Sequence, residues 1–260
     1  MKIVVLVKQV PDTETKIKLT ADISNIETAG VKYVVNPYDE FAVEEAVRLK
    51  EKNPGSTITV VGMGPERTKE ALRTALAMGA DEGLYITEDN LPGKDGLITA
   101  RLLAEAVKTM NPDLVICGKQ AIDDDEGRVG PALSHYLNLP FVTNVIKLTL
   151  ENGKLNLQRE LEGRSEILEV ALPAVVSAQK GLNEPRYPSL INIMQAKKKT
   201  INEMKPEQLL SAEELEKSAL TQQTGLNLPP IREKGRKLQG DPNQLVQEIV
   251  TFLTETVKIS

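Results

Sequence analysis

The sequence is short of reactive and aromatic residues. It has one cysteine, one histidine and no tryptophan, and Phe, Tyr and Trp together make up 3% of it. A lone Cys117 excludes an intrachain disulfide and points to a reducing compartment. With a single His135 beside it, no Cys/His metal cluster can be assembled. So few aromatics cannot build a base-stacking surface for RNA, and a net charge of −5 argues against a general nucleic-acid binder. Long apolar runs are missing too. "IVVLV" at 3–7 is far too short for a membrane span or a signal h-region, and Pro11 soon follows it. These absences together point to a cytoplasmic, non-membrane protein. What is present is ordinary for a folded chain: 40% apolar and 27% charged residues. With 260 residues, one large domain with an appendage or two small ones are expected.

The pattern along the chain is regular at first. "KIVVLVK" (2–8) is a β-branched run with no polar alternation, the mark of a strand buried on both faces. Asn36 and Pro37 then announce a helix over 39–52. "STITVVGMG" (56–64) reads as a second buried strand, and 65–80 as a helix with Pro65 in its first turn and glycine at its end. A strand at 83–87, a helix at 96–110, a strand at 113–118 and a helix at 127–138 continue the series. Strand and helix thus alternate four times in about 140 residues, which specifies an open, doubly wound parallel sheet with right-handed crossovers. From 141 to 172, strand-like runs parted by "ENG" and "EGR" predict antiparallel hairpins, and "PAVVSA" (173–178) a strand returning to the main sheet. Beyond 180 the chain reads as irregular and Pro-rich. "LPPIREKGRKLQGDP" (228–242) is a linker by composition, and 243–257 a terminal amphipathic helix that needs a surface to receive its apolar side. The resulting divisions are 1–180, 181–227 and 228–260.

In such sheets ligands bind beyond the carboxyl ends of the strands, where strand order reverses. Three loops leave strand ends there: "KQVPDT" (8–13), "GMGP" (62–65) and "GKQAIDDDEGRVG" (118–130). The last feeds a helix start near Gly127–Arg128, a natural phosphate position. Its acids, Asp123 to Glu126, divide between solvent, capping the helix and a ribose hydroxyl; a mere capping cluster accounts for them equally well. A P-loop is missing, "GMGPER" lacks the third glycine of a dinucleotide fingerprint, and there is no G-x-S-x-G elbow. His135 reads as a structural or surface histidine, Cys117 as a small core residue, and Met63 and Met78 as core or loop fill, Met63 within reach of a ligand. The residues describe a nucleotide-type fold with an adenine-nucleotide site and no visible catalytic machinery. A carrier or binding subunit and an enzyme both remain open on this reading.

Five stretches in order, "VKQVPDTETKIKL", "NPYDEFAVEEAVRLKE", "LRTALAMGADEG", "GKQAIDDD" and "LNEPRYPSL-NIM-AKKK", resemble the β subunits of electron transfer flavoproteins, and the tail after "LPPIREKGRKLQGD" is similar to that of bacterial members. The resemblance implies an adenine nucleotide α-hydrolase-like topology with an antiparallel hairpin insertion and an extended C-terminal arm packed on an α subunit. It implies a heterodimer holding one FAD, shared with that α subunit, and one AMP. Such a protein turns over no metabolite of its own: it carries electrons from acyl-CoA and related dehydrogenases to a quinone oxidoreductase. Carried over residue by residue, the AMP contacts fall on Leu6, on Asn36, Pro37, Tyr38 and Asp39, on Met63, and on Gly118, Lys119, Gln120, Ala121, Ile122, Asp123, Asp124, Asp125, Glu126, Gly127, Arg128 and Val129. The docking loop falls on Tyr187 to Lys199, with Leu190 as apolar anchor beside Ile191, Ile193 and Met194, and with lysines, Lys197 and Lys198 among them, steering acidic partners. On the residues alone, the favoured reading is that Leu190, Ile191 and Ile193 pack against the body and the lysines form a solvated face; the resemblance reverses that preference. Glu160 matches an acid that holds the mobile flavin domain through an arginine of the α subunit; an ordinary exposed strand glutamate is the alternative.

The chain departs from the pattern at four places. Glu126 to Val129 stand where mitochondrial-type members carry small polar residues on the phosphate, and Thr13 where some carry a tyrosine near the flavin. Ile191 replaces a frequent proline and Gln195 a frequent lysine. The competing reading within the family is the electron-bifurcating branch, with a second FAD in place of AMP. "VGP" at 129–131 occurs there, whereas "NEPRYPS" and "KQAIDDD" look like the AMP-binding branch. An adenylate-forming or ATP-pyrophosphatase enzyme would need a Gly/Ser-rich loop after the first strand, which "KQVPDT" is not, and a nucleotide-sensing stress protein leaves the long tail unexplained.

Overall fold

The computed structural model describes residues 1–88, 91, 95–218, 220–221, 224–231, 234–235, 237–256 and 258. A few residues of each division made above, among them Val257 of the terminal helix, lie outside the described set.

The first strand, β1 (Lys2–Leu6), shows why the sheet is covered on both sides. Ile3 and Val5 enter one apolar layer with Val43, Ala46, Leu72 and Leu76, while Val4 and Leu6 enter the other with Ala100, Leu103, Val107 and Leu133. Successive side chains of a strand point to opposite faces, so a run without polar alternation can only sit between two helical layers. The short β2 (Gln9–Pro11) and β3 (Tyr33–Val35) pair antiparallel beside it. Then follow α1 (Pro37–Lys52), β4 (Thr57–Gly64), α2 (Thr68–Met78), β5 (Glu82–Thr87), α3 (Gly96–Met110), β6 (Leu114–Gly118) and α4 (Val129–Leu137). The antiparallel insertion is β7 (Phe141–Glu151), β8 (Lys154–Leu161) and β9 (Arg164–Ala171). Its tight turns use Asn152 and Gly153, both at positive φ, and Gly163 at φ 71°. β10 (Ala174–Ala178) returns to the centre, and α5 (Leu190–Ala196), β11 (Ile201–Met204), α6 (Pro206–Leu209) and α7 (Ala212–Ser218) complete the first unit.

The nine-stranded sheet has the order β11-β5-β4-β1-β6-β10-β7-β8-β9. All pairings from β11 to β7 are parallel, and β7-β8-β9 are antiparallel. The doubly wound class, the hairpins and the return of β10 are as the sequence predicts. Two helices start later than expected, whereas α1 starts two residues earlier, at Pro37. α2 begins at Thr68 rather than at 65, because Gly64 at φ 152° turns the chain and Pro65 is spent in a turn whose carbonyl accepts from Thr68 N at 2.8 Å. α4 begins at Val129 rather than 127, because Gly127 at φ 61° lies outside helical geometry. The segment after 180 is not merely irregular. It supplies β11 to the sheet edge, a four-residue strand held by backbone pairing with β5 and too short to show a period.

Contacts divide the chain into two units, Met1–Leu226 and Asn227–Ser260. In the second, Asp241 caps α8 (Pro242–Thr251) by accepting from Asn243 N, and none of the helix's residues is buried. A wider helical turn, Phe252–Thr256, continues it. Among the described residues no helix is long and apolar enough to cross a membrane.

Candidate functional site

Strand order fixes where a site can form. From β1 the chain steps outward to β4 and β5, then crosses back to lay β6 on the other side of β1. The loops leaving β1 and β6 therefore diverge and open a crevice between them.

The start of α1 closes the base of that crevice. Asp39 reaches between the two strand ends: its Oδ2 accepts from Lys8 N at 2.7 Å and its Oδ1 from Gly118 N at 3.0 Å. Burial pushes its carboxyl up to about 7, against the opposing pull of those backbone donors. Gly118 is glycine because a Cβ there would lie 2.3 Å from Asp39 Oδ1 and 2.8 Å from Tyr38 Cβ. Asn36, also buried, ties a third segment. Its Nδ2 donates to Gln120 O at 2.9 Å, its Oδ1 accepts from Ile122 N at 3.2 Å, and its own amide donates to Lys8 O at 2.9 Å. One helix start thus fastens both walls of the crevice.

The acidic loop is held across the top. Lys8 Nζ donates to Asp123 Oδ1 at 2.7 Å and to Asp124 Oδ2 at 2.9 Å. Burial alone would lower the pKa of this ammonium, but the two carboxylates raise it above its ordinary value. Gln120 Nε2 donates to Asp125 Oδ1 at 2.6 Å, Glu126 N to Asp124 Oδ1 at 3.1 Å, and Arg128 pairs with Glu126 at 3.0 Å. Contrary to the expectation from sequence, none of these acids caps α4, which begins without a side-chain cap. Gly127 places a left-handed turn between the carboxylates and the helix, and their charge is answered by Lys8 and Arg128 instead. The leading amides of α4 have no intrahelical acceptor and remain free to meet an anion.

The structure brings Leu6, Asn36 to Asp39, Met63 and Gly118 to Val129 to one edge of the sheet, the carboxyl ends of the adjacent strands β1, β4 and β6. Leu6 is buried in the layer facing α3 and α4, and Met63 is half-buried against the same layer. Lys8 is the residue that the sequence pattern passes over; its loop is singled out there, but a lysine in a strand-end loop gives no sign of bridging carboxylates 115 residues away. Cys117 is buried in β6, where burial pushes its thiol up, and His135 is exposed and edge-on to Tyr136 at 5.7 Å. Among the described residues no three His, Cys, Asp or Glu side chains converge as metal ligands.

A second group lies elsewhere. Ser189 accepts from Asn192 N and starts α5, whose Ala196 is buried in the core layer with Leu72 and Leu76 of α2. Every other large side chain of that stretch faces solvent: Tyr187 is 99% exposed, Leu190 82%, Ile191 68%, Ile193 41% and Met194 69%. The alternative of Leu190, Ile191 and Ile193 packed on the body is therefore not what the chain does. Lys197 and Lys198 are exposed, but Lys199 turns inward. Its Nζ donates to the carbonyls of Leu76, at 3.1 Å, and Ala80, satisfying the last turn of α2. Glu160 is separate again. It stands exposed on β8, with Gln179 Nε2 donating to it at 3.1 Å.

Comparison with known proteins gives one answer. The family model described as "Electron transfer flavoprotein domain" matches residues 23–209. The electron transfer flavoprotein subunit beta of Bacillus subtilis (strain 168) is 41% identical over 261 residues, covering 100% of both chains. That of Syntrophomonas wolfei is 38% identical over 259 residues, with 100% of this chain and 98% of its own covered. The human protein of the same name is 44% identical over 211 residues, 79% of this chain and 82% of its own. A doubly wound sheet with a tied crevice at its switch point, in a chain matched across its length by these relatives, places the chain in the electron transfer flavoprotein β-subunit family.

Proposed function

We propose that this chain pairs with an α subunit to form an electron carrier that holds one FAD and one AMP, accepts electrons from acyl-CoA and related dehydrogenases, and delivers them to a quinone oxidoreductase. The observation that carries the reading is the crown of large apolar side chains from Tyr187 to Met194, exposed beside Lys197 and Lys198. Contiguous exposed apolar groups mark an interaction surface. A small anchor with positive charge beside it suits brief encounters with acidic partners, in which charge sets the approach and little area is buried.

AMP fits the crevice on its chemistry. Three of the loop's four acids are paired with Lys8 or Arg128 and the fourth, Asp125, accepts from Gln120, so a phosphate does not meet a bare negative cluster. The free amides heading α4 favour an anion, and the loop Gly118–Val129, held by Asn36 and Asp39, supplies backbone groups to the nucleotide. Bound FAD supplies the redox chemistry. The protein's own part is to seat the nucleotide, to present Glu160 to the flavin-bearing partner, and to offer the apolar side of α8 to the α subunit.

Two measurements test this. The chain is co-expressed with its α subunit, and the nucleotides released on denaturing the complex are separated by chromatography. One FAD and one AMP are expected; two FAD and no AMP would assign it to the bifurcating branch, and no nucleotide would overturn the reading. Leu190→Ala is expected to slow reduction by an acyl-CoA dehydrogenase about tenfold without loss of flavin, and an unchanged rate would remove the docking role.

A further inference from the structure

The exposed crown stands on two charged feet. At the first, Arg186 Nε donates to Glu44 Oε2 at 2.8 Å and Nη2 to Glu44 Oε1 at 3.1 Å, while Nη1 and Nη2 reach Glu51 at 2.6 and 3.2 Å. The Arg186 amide donates to Glu44 as well, at 3.2 Å. Glu44 and Glu51 both belong to α1, and the Glu44 side chain is only 2% exposed. Arg48 supports the same carboxylate at 2.8 Å, and Asn183 Nδ2 donates to Phe41 O at 3.0 Å and Glu45 Oε2 at 2.9 Å. At the second foot, Arg73 Nη1 donates to Ala196 O at 2.7 Å and Lys199 O at 2.6 Å.

Between the feet, no residue from 187 to 195 is buried. A helix of seven residues is too short to hold its own shape in water. The shape of the crown must therefore be imposed from its ends. Burial opposes ionisation of Glu44, yet the Arg186 and Arg48 guanidiniums keep its carboxyl below the ordinary range. A buried ion pair is poor evidence for stability, since desolvation offsets most of the attraction. A planar fork gripping two carboxylates does, however, fix direction, which a lysine's single ammonium cannot do.

We propose that Arg186 is a positioning residue: clamped between Glu44 and Glu51 of α1, it fixes the orientation of Leu190 and its neighbours, so that the docking crown is ordered before a partner arrives. The proposal rests on the reading of residues 187–194 as the docking surface. Its consequence is specific. Loss of the clamp makes the partner bear the ordering of the loop, which weakens encounter and leaves electron transfer within the formed complex alone.

The test uses the intact FAD-loaded heterodimer, reduced by an acyl-CoA dehydrogenase supplied with its acyl-CoA. Arg186→Gln is expected to raise KM for the heterodimer about tenfold while kcat and flavin content stay within about twofold. Arg186→Lys is expected to rescue only part of the loss. In a Leu190→Ala background, Arg186→Gln is expected to add less than about a twofold change, because the residue acts through that anchor. An unchanged KM in Arg186→Gln, or effects that multiply fully in the double variant, would overturn the clamp. So would a fall in kcat and flavin content together. Leu190→Ala without effect would instead remove the docking reading itself, a result distinct from an active anchor with an idle clamp. If Arg186→Gln does not assemble, Arg186→Lys and Glu51→Gln carry the same test: each is expected to raise KM about threefold, and an unchanged KM in both overturns the proposal.

Discussion

The two ends of α1 invert the ordinary rule of burial in opposite senses. At its start, polar groups are buried: Asn36 and Asp39 are 1% and 6% exposed, and their side-chain oxygens and the Asn36 side-chain nitrogen are met by backbone groups of the loop after β1, of β6 or of the loop after β6. Farther along, at Glu44 and Glu51, the helix supports a loop whose apolar groups are exposed. Soluble proteins tolerate either departure only where something is gained, because a buried polar group must be fully bonded and an exposed apolar patch invites association. The first arrangement makes a rigid receptacle, the second an adhesive tip. In both, the rigidity comes from side chain to backbone or ionic ties reaching across long stretches of sequence, not from the local helix or loop itself.

The comparison can be broken most strongly at the crevice. Gly118→Ala would place a Cβ 2.9 Å from the Tyr38 carbonyl carbon as well as against the Asp39 carboxylate. Backbone cannot yield there without moving α1, so the heterodimer is expected to lose about 3 kcal/mol of stability and to release its AMP, as urea melts and nucleotide analysis would register. Leu190→Ala, at the other region, is expected to change stability by less than about 0.5 kcal/mol. Equal effects at the two positions would erase the distinction between receptacle and tip.

A smaller and pH-dependent effect separates charge from geometry at the same place. Asp39→Asn keeps the shape but turns an amide N–H₂ toward a backbone donor, at a cost of about 1–3 kcal/mol where the native group is protonated. Because the folded carboxyl titrates near 7, well above its unfolded value, the native fold holds a proton that the unfolded chain has already lost between those two values. Stability contributed by Asp39 therefore falls as pH rises through about 7. Wild type is expected to lose stability relative to Asp39→Asn between pH 5 and pH 8, by about 3 kcal/mol, which closes or reverses the gap. A gap that stays constant instead would show that the two backbone donors hold the carboxylate as an anion throughout.

How much of this could be read beforehand follows from the range of the interactions. The strands β1, β4, β5 and β6 and their helices were legible because each is specified by its own residues: "KIVVLVK" has only one arrangement that hides both faces. The crevice was legible in outline, since alternation of strand and helix dictates a switch point and the loop after β6 is long. Its ties were not. Lys8 meets Asp123 from 115 residues away, and Arg186 meets Glu44 from 142; neither partner carries a local mark of the other. The capping role given to some of Asp123–Glu126 failed for a local reason, the left-handed turns at Asp125 and Gly127, which displaced the helix start by two residues. β11 escaped because a parallel edge strand of four residues is defined by its neighbour's backbone and not by its own pattern.

The triple lysine at 197–199 sharpens the comparison at its finest point, since three identical residues in a row do two different things. Lys197 and Lys198 point to solvent, where charge acts at a distance of about 10 Å in moderate salt. Lys199 is withdrawn: burial lowers the pKa of its ammonium, and its donors are spent on the carbonyls of Leu76 and Ala80 at the end of α2. A cation there answers the negative end of the helix dipole. Replacing Lys197 and Lys198 together by glutamine is expected to slow association with a dehydrogenase about threefold at low salt, to leave stability unchanged, and to lose its effect as ionic strength rises. Lys199→Gln is expected to do the reverse, costing about 1 kcal/mol of stability with no change in the salt dependence of the rate. Stopped-flow reduction at several salt concentrations, beside thermal melts of the same variants, separates the two. A salt-dependent slowing from Lys199→Gln equal to that of its neighbours would mean that the inward lysine is drawn out when a partner docks, and that the second foot of the crown is a moving part.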